Sequence, residues 1–364
     1  MSDLGIYIHV PFCGKKCGYC DFYSACYSKQ QAELYVSAVI RNIRHYGDGG
    51  RKVDTVYFGG GTPSLLSPHQ LGEILGCIGE CFDVDKDAEV TIEANPNTLT
   101  PERLAGYRDI GINRLSIGVQ SMNDRELKML GRTHTAERAE KAVRDAHEAG
   151  FGNISCDLMT ALPHQDVKSL DSTIERLTEL PIQHISAYIL KVEEGTPFDC
   201  DEIRSVLPDE EKTAGLYLHM VETLEKHGFM QYEVSNFARE GFESRHNCRY
   251  WKCRDYLGIG PSAHSCYMGK RFAVPRDLAG FIGSEVQQTE ITDESPCGFE
   301  EYAMLRLRLR EGLLLSRVPE HRADIEKKLP ALISAGYAEY NGECVHLTAK
   351  GFLMSNSVIE YLIF

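Results

Sequence analysis

Strand-like and helical segments alternate through the first two thirds of this chain, and that alternation restricts its fold more than any other feature. Strand-like runs occur at 6–10 (IYIHV), 54–60 (DTVYFGG), 89–94 (EVTIEA), 114–119 (RLSIGV), 154–159 (ISCDLM) and 184–190 (HISAYIL). Between them lie segments with helical periodicity, among them AELYVSAVIRNIRHY, HQLGEILGCIGECF and TAERAEKAVRDAHEAG, the last ending on Gly150 as a C-cap. Repeated strand-then-helix units predict a parallel sheet with helical crossovers. A full eight-unit barrel takes about 250 residues. The six units within 1–240 therefore predict an incomplete, TIM-like (β/α)6 barrel.

Past residue 240 the pattern changes. Residues 241–285 contain REGFESRHNCRYWKCRDYLGIGPSAHS, which is polar, aromatic and glycine-rich, and reads as a connecting segment. Residues 286–364 form a last unit, in which 298–364 give helix, helix, a strand-like AEYNGECVHLT and a final AKGFLMSNSVIEYLI. That order predicts a small winged-helix-like domain, an architecture that does not by itself imply DNA binding. The net charge of −14 argues against a nucleic-acid partner, and the one short basic run is LRLRLR at 305–310. With 43% hydrophobic and 25% charged residues the chain reads as soluble and globular. No apolar run reaches the roughly 18–20 residues of a membrane span, and the first strand starts too early to leave room for a signal peptide. A cytoplasmic location is expected, with peripheral membrane contact left open. The thirteen cysteines are odd in number. Outside the motif below they read as small buried hydrophobes rather than disulfides, with Cys26 a loop thiol.

The stretch CGKKCGYCDF, residues 13–22, sets three cysteines in CX3CX2C spacing directly after the first strand. Structural zinc is closed by four protein ligands, so His9 or Cys26 would have to complete such a site. Iron–sulfur clusters are held by thiolates, normally four; three leave a position for a substrate. The other polar candidates fall at the C-terminal ends of strands, where α/β barrels bind ligands. They are the Gly59–Gly60–Gly61–Thr62 turn, Glu93, Gln120, Asp157 and Tyr188. The turn lacks the Lys-Ser/Thr ending of a phosphate loop, and its glycines let backbone amides approach a bound polar group.

YIHVPFCGKKCGYCDFYS, YFGGGTPSLL, RLSIGVQSMNDRELKMLGRTH and RHNCRYW together resemble the radical S-adenosylmethionine (SAM) superfamily. More narrowly, and over nearly the whole chain, they resemble its HemN/HemW family of coproporphyrinogen-oxidase-like proteins. The resemblance implies a 4Fe–4S cluster on Cys13, Cys17 and Cys20. In that family the amino nitrogen and carboxylate of SAM chelate its open iron, and one electron cleaves the sulfonium to methionine and a 5′-deoxyadenosyl radical. It implies SAM contacts from Gly60, Gly61, Thr62, Glu93, Gln120, Arg132 and Asp157. Of these, Arg132 would offer fork-like donors to a carboxylate. Aromatic walls are implied for Tyr7, Tyr19 and Tyr188. DLMTALPHQ departs from the relatives' DLIYGLPGQ at Thr160 and Ala161, which bears on the local loop.

Members that oxidise coproporphyrinogen resemble CX3CX2CXC and carry an N-terminal extension. Here Phe22 takes the fourth cysteine's place, and twelve residues precede Cys13. Both features imply the branch associated with heme binding and delivery. HNCRYW matches that branch's HNxxYW, which implies heme binding with His246 as an iron ligand. The expectation is a heme chaperone that binds the cluster, SAM and heme and passes heme to an acceptor protein. An oxygen-independent coproporphyrinogen III dehydrogenase, a radical-SAM enzyme with another substrate and a zinc-stabilised interaction protein stay open as alternatives.

Overall fold

The computed structural model describes residues 3–364. Six strands run parallel and adjacent in chain order: β1 (Leu4–Val10), β2 (Lys52–Gly60), β3 (Asp83–Ala94), β4 (Arg114–Gln120), β5 (Ile154–Thr160) and β6 (His184–Ile189). Helices α1 (Lys29–Tyr46), α2 (Pro68–Cys81), α3 (Pro101–Asp109), α4 (Ala136–Glu148) and α5 (Val167–Thr178) make the crossovers, and α6 (Glu210–Lys226) follows β6. Their starts follow the usual capping chemistry. Ser28, Ser67, Thr100, Thr135, Asp166 and Asp209 each accept a backbone N–H in the first turn. After α4, Gly150 takes a φ of 89° and Phe151 N–H bonds back to Ala146, the ending expected of that glycine.

The sheet is larger than six strands. β7 (Met230–Glu233) and β8 (Asn236–Ala238) continue it past β6, antiparallel. On the other side β9 (Tyr256–Ile259) pairs parallel with β1, and β10 (His264–Tyr267), β11 (Lys270–Ala273) and β12 (Glu290–Asp293) extend it antiparallel. The linear order β12-β11-β10-β9-β1-β2-β3-β4-β5-β6-β8-β7 leaves the barrel open, as six units implied. The reading of 241–285 as a connection is thereby corrected, since YLGI is a fully buried seventh parallel strand. Four residues among turn-rich neighbours carry too little periodicity to declare themselves.

The C-terminal unit has its own apolar core, including Leu307, Leu313, Ile325, Leu329, Val345, Phe352 and Val358. Helices α8 (Phe299–Arg306), α9 (Arg322–Ser334) and α10 (Ser355–Ile363) surround a small antiparallel sheet of β13 (Leu313–Leu314), β14 (Ala338–Tyr340) and β15 (Cys344–Leu347). Along the chain these elements follow as helix, strand, helix, strand, strand and helix. Because β12 belongs to the large sheet, this unit starts later than residue 286. LRLRLR joins the two parts: Val234 N–H donates to the Arg308 carbonyl and Arg310 N–H to that of Tyr232. No helix among the described residues is long and apolar enough to cross a membrane.

Candidate functional site

Successive side chains of a strand point to opposite faces, and here the two faces differ sharply. Leu115, Ile117 and Val119 of β4 pack into the core, while Arg114, Ser116, Gly118 and Gln120 line a cavity. β3 and β5 repeat the alternation with Glu93 and Asp157 on the cavity side. The cavity lies at the C-terminal ends of β2–β6, is roofed by the cysteine loop and has a volume of about 370 Å³. That lies within the usual range for a small-molecule site. Thirteen sequence candidates line it: Cys13, Cys17, Tyr19, Cys20, Phe22, Gly60, Gly61, Thr62, Glu93, Gln120, Arg132, Asp157 and Tyr188.

Two glycines explain how β2 reaches the cysteine loop. Gly60 has a φ of 109°, and a Cβ there would lie 2.7 Å from the His9 ring; at Gly61 it would lie 2.6 Å from the Phe12 carbonyl oxygen. The freed amides hold the loop: Gly61 N–H donates to the Val10 carbonyl and Thr62 N–H to that of Phe12. Thr62 Oγ1 is 3.7 Å from Cys13 Sγ. Gly60 N–H and the Tyr57 hydroxyl donate to the two Glu93 carboxylate oxygens, at 3.0 and 2.8 Å. Burial, reinforced by Asp157, pushes the Glu93 carboxyl up to about 7. Burial likewise pushes Asp157 up to about 6, against a 3.2 Å hydrogen bond from Ser116. Gln120 is held at φ 71°, uncommon for a residue with a side chain and characteristic of ligand sites.

Arg132 spans the far wall. Its Nη2 donates to the Gly118 carbonyl at 2.6 Å, its Nη1 lies 3.5 Å from Cys17 Sγ, and its buried Nε has no partner. Phe22 is 61% exposed and forms an apolar edge on the rim.

Two candidates fall outside the cavity. Tyr7 lies one layer below, its hydroxyl 3.0 Å from His9 Nδ1 and its ring 6.1 Å from that of Tyr57. His246 departs further from the sequence expectation. It sits in α7 (Arg245–Trp251), wholly buried, with Nδ1 2.8 Å from Thr55 Oγ1 and Nε2 2.8 Å from the Tyr250 hydroxyl. Its ring stacks on Tyr57 at 5.2 Å, and burial lowers its pKa to about 3. Both nitrogens are thus engaged by protein hydroxyls, which corrects the reading of His246 as an iron ligand. The Glu89 carboxylate accepts the Arg245 and His246 N–H groups at the start of α7, a favourable place for an anion. Next in sequence, Asn247 lines the cavity, whereas Cys248 lines a separate groove of about 750 Å³ beside Met230 and Leu309. Sequence reasoning missed Arg114, Ser116, Ser186 and Asn247, which also line the cavity; the polar alternation of the inner faces is the signal that reveals the first three.

The three thiols fit the thiolate donors that iron–sulfur clusters take. Among the described residues, no group of three or more His, Cys, Asp or Glu side chains converges as a single metal ion requires. The three thiols instead border one cavity, next to the Arg132 guanidinium with its spare Nε donor. His9 and Cys26, the residues that zinc would have needed, lie outside that lining.

An open parallel barrel with three thiols on its C-terminal rim is the architecture of a radical SAM protein, and the Radical SAM superfamily model matches residues 7–177. The heme chaperone HemW of Lactococcus lactis is 35% identical over 97% of this chain and 96% of its own length. That of Synechocystis is 37% identical over 98% and 91%, and that of Escherichia coli 33% over 99% and 98%. The chain belongs to the HemW family. Its fold is that of the coproporphyrinogen III oxidase HemN from Escherichia coli, with a TM-score of 0.82 at 24% identity over 99% of this chain and 90% of that one.

Proposed function

We propose that this protein is a heme chaperone that holds a 4Fe–4S cluster on Cys13, Cys17 and Cys20, binds SAM in the rim cavity and passes heme to acceptor proteins. The observation that carries this is the convergence of three thiols, Glu93, Gln120, Arg132 and Asp157 on one cavity. Superfamily membership implies the cluster and SAM, and the HemW relatives' name supplies heme. When bound, the cluster supplies an electron for SAM chemistry. The chain's own part is to bind and orient. Arg132 offers charge and a free donor to a carboxylate, Glu93 and Asp157 accept from cationic or hydroxyl groups, and Phe22 and Tyr188 offer apolar surface at the rim. The test is anaerobic reconstitution followed by parallel heme titration and coproporphyrinogen assays. Heme binding without coproporphyrinogen consumption supports the chaperone; steady consumption overturns it.

The two raised carboxyls give SAM binding a pH dependence. In the free protein Glu93 and Asp157 titrate near 7 and 6, whereas a ligand bearing a permanent sulfonium charge favours both ionised. Their pKa values therefore fall on binding, protons are released, and affinity rises as the pH passes through about 6 and levels off above about 7. Calorimetry near pH 6.5 in buffers of differing ionisation enthalpy reads the release; a pH-independent affinity without it would contradict the assignment.

His246 is read here as a positioning residue that fastens α7 to β2. Replacing it by alanine leaves the Tyr250 hydroxyl without its partner, leaves Thr55 only its contact with Arg249, and opens a cavity, and is expected to cost about 2–4 kcal/mol of stability. The Soret spectrum of the folded fraction should be unchanged. A shifted spectrum at wild-type stability would restore His246 as a ligand.

A further inference from the structure

Away from the rim, three cysteines from three separate segments meet. Cys253 lies just past α7, Cys266 lies on β10, and Cys297 immediately precedes α8. Cys266 is buried, while Cys253 and Cys297 are partly exposed. The Cys297 Sγ is 3.9 Å from the Cys253 carbonyl oxygen. Side-chain hydrogen bonding between Cys266 and Cys297, and between Cys297 and Cys253, leads the causes that shift the pKa values of the three thiols. Both partly exposed cysteines hold strained left-handed backbone, with φ of 49° at Cys253 and 68° at Cys297. Such strain in a residue with a side chain collects at functional positions. The Cys297 N–H is held at 2.6 Å by the Glu301 carboxylate, which in turn binds Arg271 at 2.6 Å, so the strained turn is fastened in place.

The relay makes the three thiols chemically unequal. The hydrogen bond from Cys297, aided by Arg271, holds the Cys253 thiol below its usual range. Cys297, as donor to Cys253, is pushed up to about 12, and Cys266 at the end of the relay is pushed up strongly. A lowered, accessible thiol with a second thiol beside it is the arrangement that reacts with small disulfides and resolves to an intramolecular one.

We propose that Cys253 and Cys297 form a reversible disulfide, with a low-molecular-weight disulfide such as oxidised glutathione as the oxidant. The Cys253 thiolate attacks one sulfur of oxidised glutathione, the S–S bond breaks and a glutathione thiolate leaves. Cys297 loses its proton to solvent and attacks the Cys253 sulfur of the mixed disulfide, releasing the second glutathione thiolate. Two protein thiols are thereby oxidised by two electrons and one glutathione disulfide is reduced to two thiols. The bond would tie the entrance of α8, and with it the C-terminal unit, to the end of the HNCRYW helix. It closes a loop of roughly 45 residues, long enough to stabilise the folded chain.

The test uses the full chain, kept anaerobic and incubated with excess oxidised glutathione, then alkylated, digested and analysed by mass spectrometry. The expected result is a Cys253–Cys297 cross-link that dithiothreitol reverses, an alkylated Cys266 and a rise in Tm. Cys297→Ser should retain one glutathione on Cys253 and lose the Tm rise. The wild-type cross-link reads the proposal even if that variant folds poorly. Full alkylation of Cys253 and Cys297 while the exposed Cys26 carries glutathione would overturn it. So would a cross-link confined to Cys266 or to the Cys77–Cys81 pair.

Discussion

Alanine at Cys13, Cys17 or Cys20 is expected to remove the iron altogether, from about four per reconstituted chain, the content of a 4Fe–4S cluster, to none. Three thiolates are the whole protein share of such a site, so losing one leaves two, too few to retain a cluster. The same changes should cost the apoprotein little, about 0.5 kcal/mol or less, because all three side chains are only partly buried. Iron loss with unchanged apoprotein Tm therefore separates a ligand from a residue needed for folding. Cys26→Ala is the internal control. Cys26 is exposed and its backbone pairs with that of Cys13, yet it does not line the cavity, so its iron content should match wild type. Full iron in all three loop variants would sink the cluster assignment.

How much of this was legible in the sequence depended on whether a feature is local. CX3CX2C and the glycine turn are local, and each strand end carries its candidate at a fixed place in a repeated unit. Ten candidates marked in this way line one cavity, joined there by Tyr19, Phe22 and Arg132, which the family resemblance had implied. Arg114 was missed because a lone arginine opening a strand announces nothing. It becomes readable only when RLSIGVQ is split into alternate residues, with arginine, serine, glycine and glutamine on one face and leucine, isoleucine and valine on the other. His246 was misplaced for the opposite reason. Its aromatic motif is conspicuous, but whether a histidine's nitrogens are free depends on partners far away in sequence, here Thr55 on β2. The strand Tyr256–Ile259 and the meeting of Cys253, Cys266 and Cys297 have the same non-local character. Spacing could not supply either.

Arg132→Ala should weaken SAM binding by roughly ten- to more than a hundredfold, the equivalent of about 1.5–3 kcal/mol for one charge-assisted hydrogen bond. The geometry makes the expectation specific. Arg132 follows Gly131, which turns the chain at a φ of 74°, and its Nη2 is anchored on the Gly118 carbonyl. Gly118 has room for this contact because a Cβ there would lie 3.1 Å from that same Nη2. Anchored so, the guanidinium keeps Nη1 against Cys17 and leaves a buried Nε without an acceptor, an unfavourable state that a bound carboxylate would relieve. Arg132→Lys retains the charge but not the planar fork, and should fall between wild type and alanine. A rival reading makes Arg132 only a brace between β4 and the cysteine loop. Under that reading iron content and Tm drop together, and the affinity of the protein that retains its cluster stays unchanged. Calorimetric SAM titration of the reconstituted alanine variant, with iron assayed on the same sample, separates the two. Wild-type SAM affinity in a fully loaded Arg132→Ala protein would remove the residue from the SAM site.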